Sequence, residues 1–135
     1  MYSRQSLIEI FSTFIEFKTD RFSHWAVDHR LHQNFEQHQA QLSDAPPSED
    51  FWSLYWHTRW KEQPDALAFG HLSAYLQEAC YWSAQRAMHV LGRTSYRLSD
   101  CFQLASADNA KILAGYDPRR GVSLKGYARI AYASL

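Results

Sequence analysis

The sequence predicts an all-α fold, a helical bundle of five or six helices, from three observations. Apolar residues recur at intervals of three and four along most of the chain, which is the spacing of one helical face. The 135 residues are 46% hydrophobic and 16% aromatic, enough buryable surface for a folded core. A chain of this length also fits one compact domain.

The first two helices are predicted from apolar spacing. One covers residues 3–18, and a weaker pattern continues from Phe22 to Leu42. Pro46 and Pro47 follow this second segment and exclude helix, because proline lacks the backbone N–H that a helix interior needs. A loop is therefore expected before the third helix.

The third helix is predicted to begin behind Ser48, whose hydroxyl can cap the free N–H groups of a first turn. Its aromatic run FWSLYWHTRW is expected mainly to pack in the core rather than to form a partner-binding patch. Pro64 marks the end of this helix or the start of the next. Residues 65–91 are predicted to form the longest helix, with Gly92 as its stop.

Two further helices complete the predicted bundle. Ser99 is the expected cap of a helix over Asp100–Ala114, which Gly115 closes. Tyr116–Gly121 is predicted to be a turn, and Leu124–Leu135 the last helix. Because the sequence stops inside that helix, we expect the chain to be a fragment of a longer protein.

Composition and motifs argue against several classes of protein. Cys80 and Cys101 are too few for a disulfide framework and lack metal-site spacing, so both are expected to be core residues in a reducing compartment. No secretory leader is present, and no stretch reaches the roughly eighteen apolar residues of a membrane span. We therefore expect a cytoplasmic protein with no membrane partner. No catalytic pattern stands out, so we predict no enzymatic activity and no cofactor.

The charge is unevenly distributed although the net charge is zero. Residues 1–85 hold 6 Lys/Arg against 11 Asp/Glu, which gives −5, and residues 86–135 hold 8 against 3, which gives +5. A basic C-terminal part could face phosphate, and an acidic N-terminal part would repel it. Chance segregation of solvated charges explains the same pattern equally well.

The C-terminal part carries three features in a fixed order. Asp100 and Gln103 lie at the start of one predicted helix, an aromatic-Asp-Pro-x-Arg-Gly turn follows at Tyr116–Gly121, and Tyr127 with Ala128 lies in the next helix. With the upstream segment HLSAYLQEACYWSAQRAM, these features resemble region 2 of bacterial sigma-70-family RNA polymerase sigma factors. The likeness is greater to the divergent sigma factors of cyanobacteria than to a housekeeping sigma factor.

This resemblance covers residues 66–135 and implies a division of the chain. Residues 1–62 would form an N-terminal helical extension, and residues 63–135 a sigma region 2-like helical core, packed together as one unit. The implied function is to bind core RNA polymerase and to help recognise and open the minus-ten element of promoters. In that function the polymerase supplies the catalytic chemistry. The resemblance also implies an anti-sigma regulator as a possible further partner.

The resemblance implies that the chain contacts the clamp coiled coil of the polymerase β′ subunit. The contacting residues would be Asp100, Gln103, Ser106 and Ala110, whose spacing allows one helical face to present them together. Housekeeping sigma factors carry an acidic residue after the glutamine, where this chain has Leu104. A weaker polymerase contact is expected from that difference.

The resemblance also implies contact with the non-template single strand of promoter DNA. Tyr127 matches the tyrosine that captures an unpaired base, and stacking on aromatic rings is a general way to hold single strands. The implied phosphate contacts are Arg119, Arg120, Lys125 and Arg129.

Several aromatic residues of the family pattern are replaced. Val122 and Leu124 stand where housekeeping sigma factors have aromatic side chains, and Ile130 and Ala131 stand where they have tandem tryptophans. We expect weaker promoter melting, with Tyr132 as a candidate to compensate, although an aromatic residue at helical spacing is more often part of the core.

Two alternatives remain open. A helical interaction module could bind a transcription regulator without melting DNA, which the missing aromatics and the acidic N-terminal part favour. A metal-binding bundle would use His24, Asp28 and His32, which are four residues apart and would share one helical face. Since no fourth ligand is apparent, no metal is predicted.

Overall fold

In a computed structural model, which describes residues 1–63, 65–91 and 96–134, the chain is predominantly helical with one small sheet. In chain order the described elements are α1 (Leu7–Ile10), β1 (Thr13–Lys18), β2 (Arg21–Val27), α2 (His29–Gln41), α3 (Glu49–Glu62), α4 (Ala66–Tyr75), α5 (Gln77–Leu91), α6 (Leu98–Ser106), α7 (Asn109–Gly115), a 3₁₀ turn (Pro118–Arg120) and α8 (Leu124–Ala133). The predicted helical character is confirmed. The sheet makes the fold not strictly all-α, and the described α-helices outnumber the five or six predicted. None of these described helices has the length and apolar character that a membrane crossing requires.

Strands β1 and β2 form a hairpin where helix was predicted. Thr19 and Asp20 make its turn, with φ angles of 50° and 59°. The strands are rich in aromatic and β-branched side chains, which suit a pleated sheet, but their apolar residues also fit helical spacing. The predicted helix over residues 3–18 is therefore wrong outside Leu7–Ile10, and the second helix begins only at His29.

The chain forms two compact units. The N-terminal unit consists of residues 2–14 and 25–75, and the C-terminal unit consists of residue 1 with residues 15–24 and 76–135. The hairpin contributes residues to both units. The units consequently do not follow the expected division into residues 1–62 and 63–135.

An aromatic core holds the N-terminal unit together. Helix α3 begins as predicted, because the Ser48 hydroxyl accepts a hydrogen bond from the Phe51 N–H at 3.1 Å. It turns Trp52 and Trp56 inward, where they are 1% and 0% exposed. Trp52 packs on Phe35 with ring centroids 4.9 Å apart. Core packing of these two tryptophans is confirmed.

The single helix predicted over residues 65–91 is interrupted. One helix ends with α4, and α5 begins two residues later at Gln77. The buried Gln77 side chain accepts a hydrogen bond from the Ile15 N–H at 2.9 Å, a long-range contact that apolar spacing does not reveal. The boundaries predicted at Pro64 and Gly92 lie outside the described residues.

Helix α6 is capped from the hairpin turn. The Asp20 carboxylate accepts hydrogen bonds from the Leu98 N–H at 2.9 Å, and from the Ser99 N–H and hydroxyl at 3.0 Å. Arg97 occupies the cap position, and its N–H donates to Asp100 Oδ2 at 3.1 Å. The prediction of Ser99 as the cap is wrong, because Ser99 lies inside the helix and donates to a distant carboxylate.

The helix predicted over Asp100–Ala114 is also divided. It ends as α6 at Ser106 and restarts as α7 at Asn109. Asn109 is buried and accepts a hydrogen bond from the Tyr132 hydroxyl of α8. Helix α5 packs against α6 and α8, so these helices form the body of the C-terminal unit.

Replacement of Asp20 by alanine is expected to lower the free energy of unfolding by about 1–2 kcal/mol, because a cap is lost and alanine disfavours positive φ. The backbone hydrogen bond from Ser99 lowers the pKa of Asp20 below 3.8. The stabilisation of the fold by this carboxylate is therefore complete above the ordinary pKa of 3.8, and it is lost as the pH falls through the lowered pKa. Urea unfolding measures the loss.

Asparagine at position 20 is the matched control. It keeps an acceptor oxygen and tolerates the left-handed conformation, so it is expected to cost less than half as much as alanine. Equal stability of the native and alanine proteins would contradict the capping role.

Candidate functional site

The residues expected to bind the polymerase are divided between two helices. Asp100 and Gln103 are exposed on α6, and half-buried Ser106 donates its hydroxyl to the Gln103 carbonyl at 3.1 Å. Ala110 is exposed on α7, beyond the break. The expectation that one continuous helix presents all four residues is therefore wrong. Helix α6 presents Asp100 and Gln103 one turn apart.

The start of α6 is held in place by its own hydrogen bonds. The bond from the Arg97 N–H orients the Asp100 carboxylate in the first turn, where a negative charge also favours the helix dipole. Leu104 is 64% exposed beside Gln103. The exposed surface of α6 thus combines a carboxylate, an amide and a large apolar side chain.

The predicted turn over residues 116–121 is confirmed. Asp117 caps the 3₁₀ turn by accepting a hydrogen bond from the Arg119 N–H at 3.0 Å, and Gly121 has a φ of 76°, which favours glycine. Arg119 Nε and Nη2 lie 3.1 and 3.2 Å from the Asp117 carboxylate. The bond from the Arg119 side chain lowers the pKa of Asp117. The charge of Arg119 is accordingly compensated at this turn.

The remaining predicted DNA contacts lie on or beside α8. Arg120 and Arg129 are exposed, and Lys125 is half-buried in the first turn of the helix. The ring of half-buried Tyr127 is tilted against the ring of Tyr116, with centroids 5.5 Å apart. Tyr127 thus remains partly exposed, with Lys125 and Arg129 two residues before and after it on α8.

Tyr127 is also fitted closely against the end of α7. A Cβ atom added at Gly115 would lie 2.7 Å from the Tyr127 hydroxyl, so a larger residue there would displace this side chain. Tyr116 in turn donates its hydroxyl to the Val122 carbonyl at 2.6 Å. These contacts fix the tyrosine pair relative to the turn.

Tyr132 cannot take the role of a base-stacking aromatic. It is 2% exposed, its hydroxyl bonds to Asn109, and burial raises its pKa. With Leu124 and Ala128 it forms the buried stripe of α8. The two positions of the family's tandem tryptophans instead hold Ile130, which is 69% exposed, and Ala131.

The alternative metal site is wrong, because its residues do not share a helix. His24 lies on β2, and Asp28 precedes α2 and caps it by accepting the Leu31 N–H at 3.1 Å. His32 lies within α2, 3.2 Å from Glu36 Oε1. Within residues 1–63, 65–91 and 96–134 no group of three His, Cys, Asp or Glu residues could hold a metal ion.

Asp20, which caps α6 from 78 residues away, was not predicted, because nothing in the local sequence pattern links a hairpin turn to that helix. Asp100, Gln103 and the α8 residues were named in advance from the resemblance. Comparisons with family models, with curated proteins and with solved structures find no match.

Proposed function

We propose that this chain is a sigma-type factor that binds core RNA polymerase through α6 and helps hold opened promoter DNA along α8. The observation that carries the proposal is the pair Asp100 and Gln103, exposed one turn apart on a helix whose start is capped by Asp20. A carboxylate and an amide that lie one turn apart on a capped helix can form hydrogen bonds with the side chains of a partner helix. Its partner would be the clamp coiled coil of the β′ subunit.

The DNA-holding part of the proposal rests on Tyr127, Arg120, Lys125 and Arg129. A partly exposed aromatic ring and exposed cations on one segment are the groups that bind single strands, by stacking on a base and by attraction of the phosphates. Because Arg119 is paired with Asp117, we expect it to contribute less than Arg120. The non-template strand of the minus-ten element would be the ligand.

A pull-down of the β′ clamp coiled coil by the purified chain tests the polymerase contact. Capture by the native chain and loss of capture after the double change Asp100→Ala, Gln103→Ala would support a sigma-type function. If the folded native chain does not capture the coiled coil, the proposal is contradicted.

The second candidate is a helical interaction module that binds a transcription regulator without melting DNA. Large apolar side chains are exposed in the C-terminal unit, as protein-binding surfaces require: Trp82 is 51%, Leu104 64% and Ile130 69% exposed. The family's aromatics are missing at several DNA-facing positions. Both features fit a protein partner better than a DNA strand.

Single-stranded DNA binding distinguishes the two candidates. A DNA-holding surface should bind an oligonucleotide with an affinity that falls steeply with salt, since phosphate contacts release counterions. Arg120→Ala with Arg129→Ala should then weaken binding and reduce the salt slope by about two. An interaction module would show neither binding nor a salt slope.

A further inference from the structure

A groove opens in the C-terminal unit between α5, α6 and α8, and neither Asp100 nor Gln103 lines it. Its volume is about 300 Å³. Small side chains from two helices make room for it, namely Ala84 and Ala87 of α5 and Ala105 of α6. Leu104 and Cys101 of α6 complete the apolar wall. A concave, largely apolar space of this size is at the lower end of small-molecule sites.

The groove contains one charged group. Asp108, in the break between α6 and α7, is the sole charged residue among those that line it. It occupies the cap position of α7 without making a side-chain capping bond, and none of the described side chains forms a hydrogen bond or ion pair with it. A half-buried carboxylate beside apolar walls is complementary in charge to a ligand that carries one positive group.

The groove and the polymerase-binding residues occupy different sides of α6. Cys101, Leu104, Ala105 and Asp108 follow each other at three- and four-residue spacing and face α5 and α8. Asp100 and Gln103 lie outside this stripe and do not line the groove. A ligand in the groove would therefore contact Leu104 at the border of the two surfaces and leave Asp100 and Gln103 uncovered.

We propose that this groove binds a small organic cation, a molecule with an apolar body and one ammonium group. The body would lie against the alanines of α5 and α6, and the ammonium group would pair with the Asp108 carboxylate. The proposal does not depend on the function proposed above.

Cys101 provides a built-in reporter of occupancy. Its thiol lines the groove and is half-buried, whereas Cys80 is 0% exposed. Burial raises the pKa of both thiols, that of Cys80 to about 12. A neutral disulfide reagent, dithiodipyridine, should therefore react with Cys101 and spare Cys80. A ligand that fills the groove should slow this reaction in a saturable way.

The test compares phenethylammonium chloride with phenethyl alcohol, which has a similar shape and no charge. We expect the ammonium compound to protect Cys101 at a concentration about tenfold lower than the alcohol, as a charge-assisted hydrogen bond implies. The change Asp108→Asn should abolish this preference. Asp44→Asn removes an exposed carboxylate from the N-terminal unit and should leave the preference unchanged.

Two results would overturn the proposal. Equal protection by the two compounds in the native protein would mean that Asp108 does not select a cation. Absence of saturable protection by either compound, while Cys101 reacts, would mean that the groove does not bind such molecules. Both results are independent of the clamp-binding experiment, so the two proposals can fail separately.

Discussion

Replacing Trp56 with alanine is expected to lower the free energy of unfolding by about 3–5 kcal/mol, the usual cost of deleting a large buried ring. Trp56 is 0% exposed, and its indole stacks on the His71 ring with centroids 4.0 Å apart. It also packs edge-on against His38 at 4.8 Å. The cavity left by alanine would remove these contacts. Urea unfolding followed by circular dichroism measures the change.

Trp82 supplies the matched control, because it is 51% exposed and its change to alanine should cost less than about 1 kcal/mol. Trp56→Phe should be milder than Trp56→Ala, since a ring is kept. That change also removes the indole N–H, which is buried without a hydrogen-bond partner in the described part of the chain. Similar losses for Trp56→Ala and Trp82→Ala would contradict the assigned core.

Acidification from pH 6.5 to pH 4 is expected to remove about 3 kcal/mol of stability through His71, since a tenfold change in proton affinity corresponds to about 1.4 kcal/mol. Burial lowers the pKa of His71 from 6.5 to about 4. The unfolded chain therefore binds a proton on this side chain at a pH where the folded protein does not. Stability conferred by the neutral imidazole is complete above pH 6.5 and is lost as the pH falls towards 4.

The contacts of His71 explain why it stays neutral. Its Nδ1 lies 2.8 Å from the Phe11 carbonyl, which can only accept, so Nδ1 carries the proton. Nε2, 3.0 Å from the Asn34 Nδ2, then accepts a hydrogen bond from that amide. A second proton would have to displace Asn34 and enter a buried aromatic environment.

Unfolding free energies measured between pH 4 and pH 7 test this linkage. His71→Gln should show a much flatter dependence on pH than the native protein, while His29→Gln, an exposed control, should follow the native curve. Burial also lowers the pKa of His38, so a smaller slope should persist in His71→Gln. An unchanged slope in that variant would contradict the role of His71.

Local signals in the sequence were enough to predict several secondary-structure elements. Ser48 before an aromatic run identified the start of α3, and the Asp-Pro sequence with Gly121 identified the turn before α8. Each of these features acts within a few residues, through a cap or a backbone conformation. The hairpin was missed because its apolar residues satisfy helical and strand spacing alike, and tertiary packing decided between them.

Long-range contacts account for the rest of the differences. The cap of α6 comes from Asp20, and the break after Ser106 is accompanied by the bond between buried Asn109 and Tyr132. The sequence left both a core role and a base-stacking role open for Tyr132, and its burial depends on helices distant in sequence. The candidate site residues were predicted from the family resemblance. Which of them are exposed could be learned only from the three-dimensional fold.

The affinity of the chain for the β′ clamp coiled coil is the most direct test of the proposed function. We predict measurable binding by the native chain and a loss of about tenfold or more after Asp100→Ala with Gln103→Ala. The matched double change Gln41→Ala with Asp44→Ala, at exposed positions of the N-terminal unit, should bind as the native chain does. A folded native chain that does not bind, or equal affinity for both double variants, would contradict the account.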